Sequence, residues 1–145
     1  VVFDQPAGSL FVVRIAGNTA SPSALASLDY AVGELGVELL VVMGHTNCGA
    51  VGAAAEGVCQ GRLEPILDPI CELAREHPDL EPDTLSALNV ARTMATLRAD
   101  DGPAGRAAAD GRLAIRGAVH DVASGELTPV ELDATGAGRA PAGRG

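Results

Sequence analysis

Apolar and polar positions along this chain alternate between two periods. Ser9 to Ile15 (Ser-Leu-Phe-Val-Val-Arg-Ile) and Val37 to Met43 (Val-Glu-Leu-Leu-Val-Val-Met) are short, nearly continuous apolar runs. The second suits a parallel strand buried on both faces. Between them Leu25, Leu28, Val32 and Leu35 recur at intervals of three or four, which predicts a helix with one apolar face. Ser21 stands as its cap, Pro22 at its first position, and Gly36 closes it. Strand, helix and strand in this span predict a βαβ unit with a right-handed crossover.

A second helix is expected from near Cys48 to Glu56, then a Gly57–Gly61 loop holding Cys59, and helices near Leu63–Arg75 and Thr84–Ala99. Asp100–Gly111 is small, polar and glycine-rich, so it predicts a mobile surface loop. Arg112–Asp121 and Leu127–Leu132 predict two strands joined by the hairpin signal Ala123-Ser124-Gly125. From Gly136 onward there is little to bury, which predicts a disordered tail. The pattern as a whole predicts an α/β fold: a mainly parallel β-sheet flanked by helices, with a C-terminal antiparallel hairpin strand. One domain is expected over residues 1–135, with a tail over 136–145.

Composition narrows the picture. The 145 residues are 47% hydrophobic but only 2% aromatic, so the core must be built from Val, Leu, Ile and Ala. A formal net charge of −9 argues against nucleic acid or an anionic membrane surface as partner. There is no lysine, which removes Schiff-base chemistry and any Walker A loop. Three cysteines (Cys48, Cys59, Cys71) form no even framework, so a disulfide scaffold is not expected and a reducing, cytoplasmic location is. No run is long and apolar enough to span a bilayer. The chain opens on Val-Val-Phe-Asp-Gln-Pro, which reads as the end of an element, and further upstream sequence is expected.

His45 and Cys48 carry the candidate chemistry. They stand three apart in Val-Val-Met-Gly-His-Thr-Asn-Cys-Gly-Ala, at the carboxyl end of the second apolar run, where open α/β sheets place their ligands. An imidazole nitrogen and a thiolate at that spacing can share one zinc ion. The spacing alone also fits a packed histidine beside a buried thiol. Among the remaining residues, Cys59 and Cys71 read as ordinary thiols, His77 as a surface residue, Arg14 as one side of a structural ion pair, and His120 has no catalytic role. No Gly-x-Ser-x-Gly pattern supports a serine hydrolase.

Four blocks together resemble the β-class carbonic anhydrases: residues 8–18 (Gly-Ser-Leu-Phe-Val-Val-Arg-Ile-Ala-Gly-Asn), 27–32 (Ser-Leu-Asp-Tyr-Ala-Val), 36–51 (ending Gly-His-Thr-Asn-Cys-Gly-Ala-Val) and 117–121 (Gly-Ala-Val-His-Asp). The resemblance implies a zinc ion held by two cysteines and one histidine, with His45 and Cys48 as two of these ligands. The third comes, in the family, from a Cys-x-Asp-x-Arg motif, which these 145 residues do not contain. The Asp–Arg pair that governs access to the fourth zinc position is missing with it, so no catalytic residue is assigned. The strand bearing that motif lies, in the family, between those matching residues 9–15 and 37–43, so an interior strand is expected to be missing from the sheet.

The activity implied is zinc-dependent, reversible hydration of carbon dioxide to bicarbonate and a proton, in a homodimer or higher homo-oligomer. On this reading Gly49 offers a backbone N–H to the substrate anion, and Tyr30 is a pocket-wall residue; a core position on a helix face fits Tyr30 as well. Two alternatives stand beside it: a carbon disulfide or carbonyl sulfide hydrolase on the same fold, and a zinc-free remnant acting as an interaction module.

Overall fold

The structure is a computed structural model that describes residues 2–132 and 138–139. Helix α1 spans Pro22–Gly33, and its start follows from chemistry local to the sequence. The Ser21 hydroxyl accepts the Ala24 amide at 3.3 Å, and Pro22 occupies the first turn, where no N–H is required. Leu25, Leu28 and Val32 pack into the core as their spacing predicts, whereas Leu35 lies past the helix and is exposed. Strand β1 follows at Leu39–His45, then α2 (Gly49–Ala55), α3 (Glu64–Glu76) and α4 (Pro82–Ala99). Helix α5 is Pro103–Ala109, and the chain continues into β2 (Ala114–His120), β3 (Leu127–Leu132) and the two-residue β4 (Gly138–Arg139).

The sheet order is β1-β2-β3-β4. β1 and β2 are parallel, in a register that runs from Leu39 opposite Ala114 to His45 opposite His120. β3 is antiparallel to β2, and β4 to β3. The α/β class therefore holds, with a mixed sheet among the described residues. The Asp121–Glu126 connection between β2 and β3 is the predicted hairpin turn.

α4 is the central element. One side buries Val90, Ala91, Met94 and Leu97 against Leu40 and Val42 of β1 and Ile115 and Val119 of β2. Its first turns carry Leu85 into a second cluster with Val51 and Ala54 of α2 and Leu67, Ile70 and Leu73 of α3. Two strand glycines allow this helix to lie close to the sheet. A Cβ at Gly44 would sit 2.7 Å from Val90 Cγ2, and one at Gly117 would sit 2.9 Å from Val90 Cγ1 and against Met94 Sδ.

Four expectations are corrected. Residues 9–15 form no strand: they run as irregular chain, with Leu10, Phe11 and Val12 exposed. A strand exists only with a ladder partner, and the described residues supply none. β1 is thus an edge strand, and its outward-facing Leu39 and Val41 are exposed while Leu40 and Val42 are buried. The Asp100–Gly111 segment is not a mobile loop but contains α5. Ala104 and Ala107 are buried, Asp29 of α1 accepts the Ala104 amide at 3.0 Å, and Asp100 accepts that of Gly102 at 2.8 Å. The cysteines are not all free. Cys59 and Cys71 form a disulfide, with Cα atoms 6.2 Å apart, and only Cys48 remains a thiol. An odd count forbids complete pairing, not one pair. Positive φ at Gly57 (80°) and Gly61 (79°) turns the loop back so that Cys59 reaches α3. Closing a 12-residue separation stabilises the fold by about 3 kcal/mol on the chain-entropy estimate. Lastly, the predicted tail contributes β4 at Gly138–Arg139, and the remainder of 136–145 lies outside the described residues.

Gly117→Ala is expected to destabilise the chain by about 1–3 kcal/mol, because Val90 is fully buried and cannot yield to the added methyl. Urea denaturation followed by far-UV circular dichroism measures this. A midpoint equal to wild type would show that α4 can retreat without loss.

Candidate metal centre

β1 ends at His45, and the chain then makes a tight turn through Thr46 and Asn47 into α2. Asn47 has φ 55°, a left-handed conformation that asparagine tolerates better than most residues. Its amide donates to Asp83 Oδ1 at 2.9 Å, so the first turn of α4 holds the loop. Thr46 ties it to the neighbouring strand. Its amide donates to the His120 carbonyl at 3.0 Å, and its hydroxyl accepts the Val122 amide at 3.1 Å.

The His45 ring is exposed, and its Nδ1 lies 2.9 Å from the Thr46 carbonyl. A carbonyl can only accept, so Nδ1 is the donor, and in the neutral ring the lone pair is left on Nε2. This is the arrangement typical of a metal-bound histidine, whose second nitrogen donates to a carbonyl or carboxylate. Cys48 follows as the residue preceding α2; its thiol is free and half-buried against the α2–α3 cluster. Gly49, the first residue of α2, is exposed, with open space where a side chain would be.

The predicted residues are only partly gathered. His45, Cys48 and Gly49 share the one turn. Tyr30 lies exposed on α1 with its ring centroid 6.5 Å from that of Phe11, so the core reading of Tyr30 does not hold. Cys59 and Cys71 are committed to each other, His77 is an exposed residue ending α3, and Arg14 makes no ion pair among the described residues. Sequence reasoning passed over three supports: Thr46, Asp83, and His120, which stands beside His45 in the parallel register. Only the strand pairing brings His120 there.

The donors present suit zinc in kind and stop at two. Among the described residues, no group of three or more His, Cys, Asp or Glu side chains is arranged to hold a metal. A zinc site with one open position calls for three protein ligands.

The carbonic anhydrase family model matches residues 1–127. The chain belongs to the β-carbonic anhydrase family. It is 35% identical over 133 residues to carbonic anhydrase 2 of Mycobacterium tuberculosis, covering 86% of this chain and 64% of that protein. With the carbonic anhydrase of Pseudomonas aeruginosa it shares 38% identity over 141 residues, 86% of this chain and 63% of that one. The chain thus spans less than two thirds of the length of these carbonic anhydrases. Among solved structures, a tetrameric β-carbonic anhydrase from Sordaria macrospora superposes with a TM-score of 0.77 at 25% identity, covering 88% of this chain and 71% of that one. The Coccomyxa β-carbonic anhydrase, solved with acetazolamide, shares the fold at a TM-score of 0.76 and 23% identity, over 90% of this chain and 65% of that one. No helix among the described residues is long and apolar enough to cross a membrane.

Beside the candidate centre, the β2–β3 turn is organised around Asp121. Asp121 Oδ1 accepts the amides of Ser124 and Ala123, each at 2.8 Å, and these bonds, with the adjacent His120, hold its carboxyl below the usual aspartate value. A lowered folded pKa means that the stabilisation is complete above the unfolded value of about 3.9 and is lost as pH falls through the folded value. The Ala123 and Ser124 amides are therefore expected to stay protected from exchange at pH 5 and to lose protection in acid, below the ordinary aspartate range. Hydrogen exchange read by NMR tests this, and Asp121→Ala should lack the acid transition. Loss of protection at or above pH 4–5 in wild type would contradict the assignment.

Proposed function

We propose that this chain belongs to a zinc-dependent enzyme that reversibly hydrates carbon dioxide to bicarbonate and a proton. The observation that carries the reading is the donor pair itself: His45 with Nδ1 held by the Thr46 carbonyl and Nε2 free, three residues before the free thiol of Cys48. Nε2 and the Cys48 thiolate would hold the metal. On the family pattern, the third ligand is the cysteine of a Cys-x-Asp-x-Arg motif that these 145 residues lack. Zinc held there supplies the Lewis acidity that makes water nucleophilic at neutral pH.

The rest of the work falls to the chain. The Thr46 carbonyl fixes the His45 tautomer and ring plane, and the Asp83 carboxylate fixes the turn that sets the distance from His45 to Cys48. Gly49 leaves space for a small anion and offers it a backbone N–H; Tyr30, set apart from this turn on α1, keeps a pocket-wall role only on the family resemblance. The same reading makes the protein a cytoplasmic homo-oligomer with one domain over residues 1–135; the tetrameric Sordaria relative supports the assembly. The missing third donor favours a second reading, in which this stretch alone is zinc-free and serves as an interaction module.

In a protein that carries the Cys-x-Asp-x-Arg segment, zinc is expected near one ion per chain by elemental analysis after gel filtration. His45→Ala and Cys48→Ser should each abolish zinc retention and carbon dioxide hydration together, the latter followed by stopped-flow indicator change. Full zinc and full rate in either variant would sink the ligand assignment. The 145-residue chain by itself, folded but without zinc, would support the interaction-module reading.

A further inference from the structure

All three cysteines meet around one small hydrophobic cluster. Cys71 is buried within it on α3, and Cys48 and Cys59 pack against it from the two ends of the α2 region. Helix α2 has only seven residues, Gly-Ala-Val-Gly-Ala-Ala-Ala, far fewer than a helix needs to persist alone in water. It buries only Val51 and Ala54, and Cys48 provides no side-chain capping bond at its start. The turn before it is held to α4 by a single exposed hydrogen bond, from the Asn47 amide to Asp83. Beyond its end the chain runs through exposed Glu56, Gly57 and Val58 to Cys59, where the disulfide fastens it to α3. The disulfide is therefore a covalent restraint on the chain leaving α2, added to the packing of Val51 and Ala54, and it lies at the opposite end from Cys48.

The two sulfurs of that bond differ in access. Cys71 is 1% exposed, whereas Cys59 is half-buried in a loop bounded by Gly57 and Gly61, both left-handed and both with open space about them. A small thiolate can approach the Cys59 side, and an accessible disulfide is the kind that exchanges. Where thiols are kept reduced, a disulfide is usually transient and either catalytic or redox-sensing.

We propose that the Cys59–Cys71 disulfide is a redox-sensitive latch that sets the order of α2 and, through it, the presentation of Cys48. A dithiol reductant opens it. The bond between the two Sγ atoms breaks, two electrons and two protons pass from the reductant, Cys59 and Cys71 become thiols, and the reductant closes into its own disulfide. A disulfide oxidant reverses the step. With the latch open, the Gly57–Gly61 loop is released, α2 frays toward its start, and the Cys48 thiol becomes more exposed. As a control on zinc retention the latch rests on the ligand role proposed for Cys48; as a control on Cys48 exposure it does not.

The test follows Cys48 without metal. Chain denatured without reductant should take up one iodoacetamide per molecule, at Cys48, and three after dithiothreitol. Three without reductant would overturn the proposal. In the native state, Cys48 alkylation, read by peptide mass, should be at least about tenfold faster after dithiothreitol than before, as local opening predicts. The Cys59→Ser/Cys71→Ser variant should match the reduced rate. If that variant does not fold, the reduced wild-type chain gives the same readout. An unchanged Cys48 rate overturns the latch, and so does a loss of far-UV helix signal on reduction larger than the seven residues of α2 account for, which would make the bond a staple of the whole fold. Zinc retention, measured separately by chelator competition, judges the ligand reading. Redox-dependent Cys48 rates with no zinc bound in either state would leave the latch standing and remove its link to the metal.

Discussion

The closeness of α4 to the parallel β1–β2 pair is the constraint on which the rest depends. A helix packs near a sheet only where the strands beneath it present little bulk, and here Gly44 and Gly117 sit directly under Val90. Small residues on the helix contribute as well, since Ser86, Ala87 and Ala91 are all buried. The contact has a cost, because Ser86 Oγ is a buried side-chain polar atom without a hydrogen-bond partner among the described residues. Once α4 is seated, its first turn supplies Asp83 to the turn after β1, and its middle supplies Asn89. The Asn89 amide group donates to the Gly17 carbonyl at 2.7 Å and to Asn18 Oδ1 at 3.3 Å, anchoring the segment before α1.

The candidate metal centre is thus positioned from outside itself. β1 delivers His45, β2 fixes the height of the loop through the His120 carbonyl, and α4 restrains its swing through Asp83. None of these supports is one of the two candidate ligands, yet each bears on where His45 or Cys48 points.

Much of this was legible in the sequence wherever the cause was local. The Ser21-Pro22 start of α1, the apolar run of β1, the Gly-His-x-x-Cys turn and the Asp121–Glu126 hairpin turn all announce themselves within a few residues. What could not be read depends on distant partners. Residues 10–13 have the apolar content of a strand and form none because no ladder among the described residues meets them. The sequence of α5 reads as loop, and it becomes helix because Asp29, 75 positions earlier, receives its first-turn amide. Three cysteines look unpaired until the Gly57–Gly61 loop is seen to fold back. The neighbourhood of His45 and His120 follows from a register that no window on either strand contains.

The near absence of aromatic residues has a consequence for how this molecule can be observed. It has no tryptophan, and its single tyrosine, Tyr30, lies on the surface of α1 beside Phe11. Ultraviolet emission therefore originates at one exposed ring, remote in kind from the aliphatic layer between α4 and the sheet. An optical signal from Tyr30 tracks the irregular segment around Phe11, and it can stay constant while the interior melts or change while the interior is intact. The aliphatic layer between α4 and the sheet is spectroscopically dark, and only its backbone reports on it.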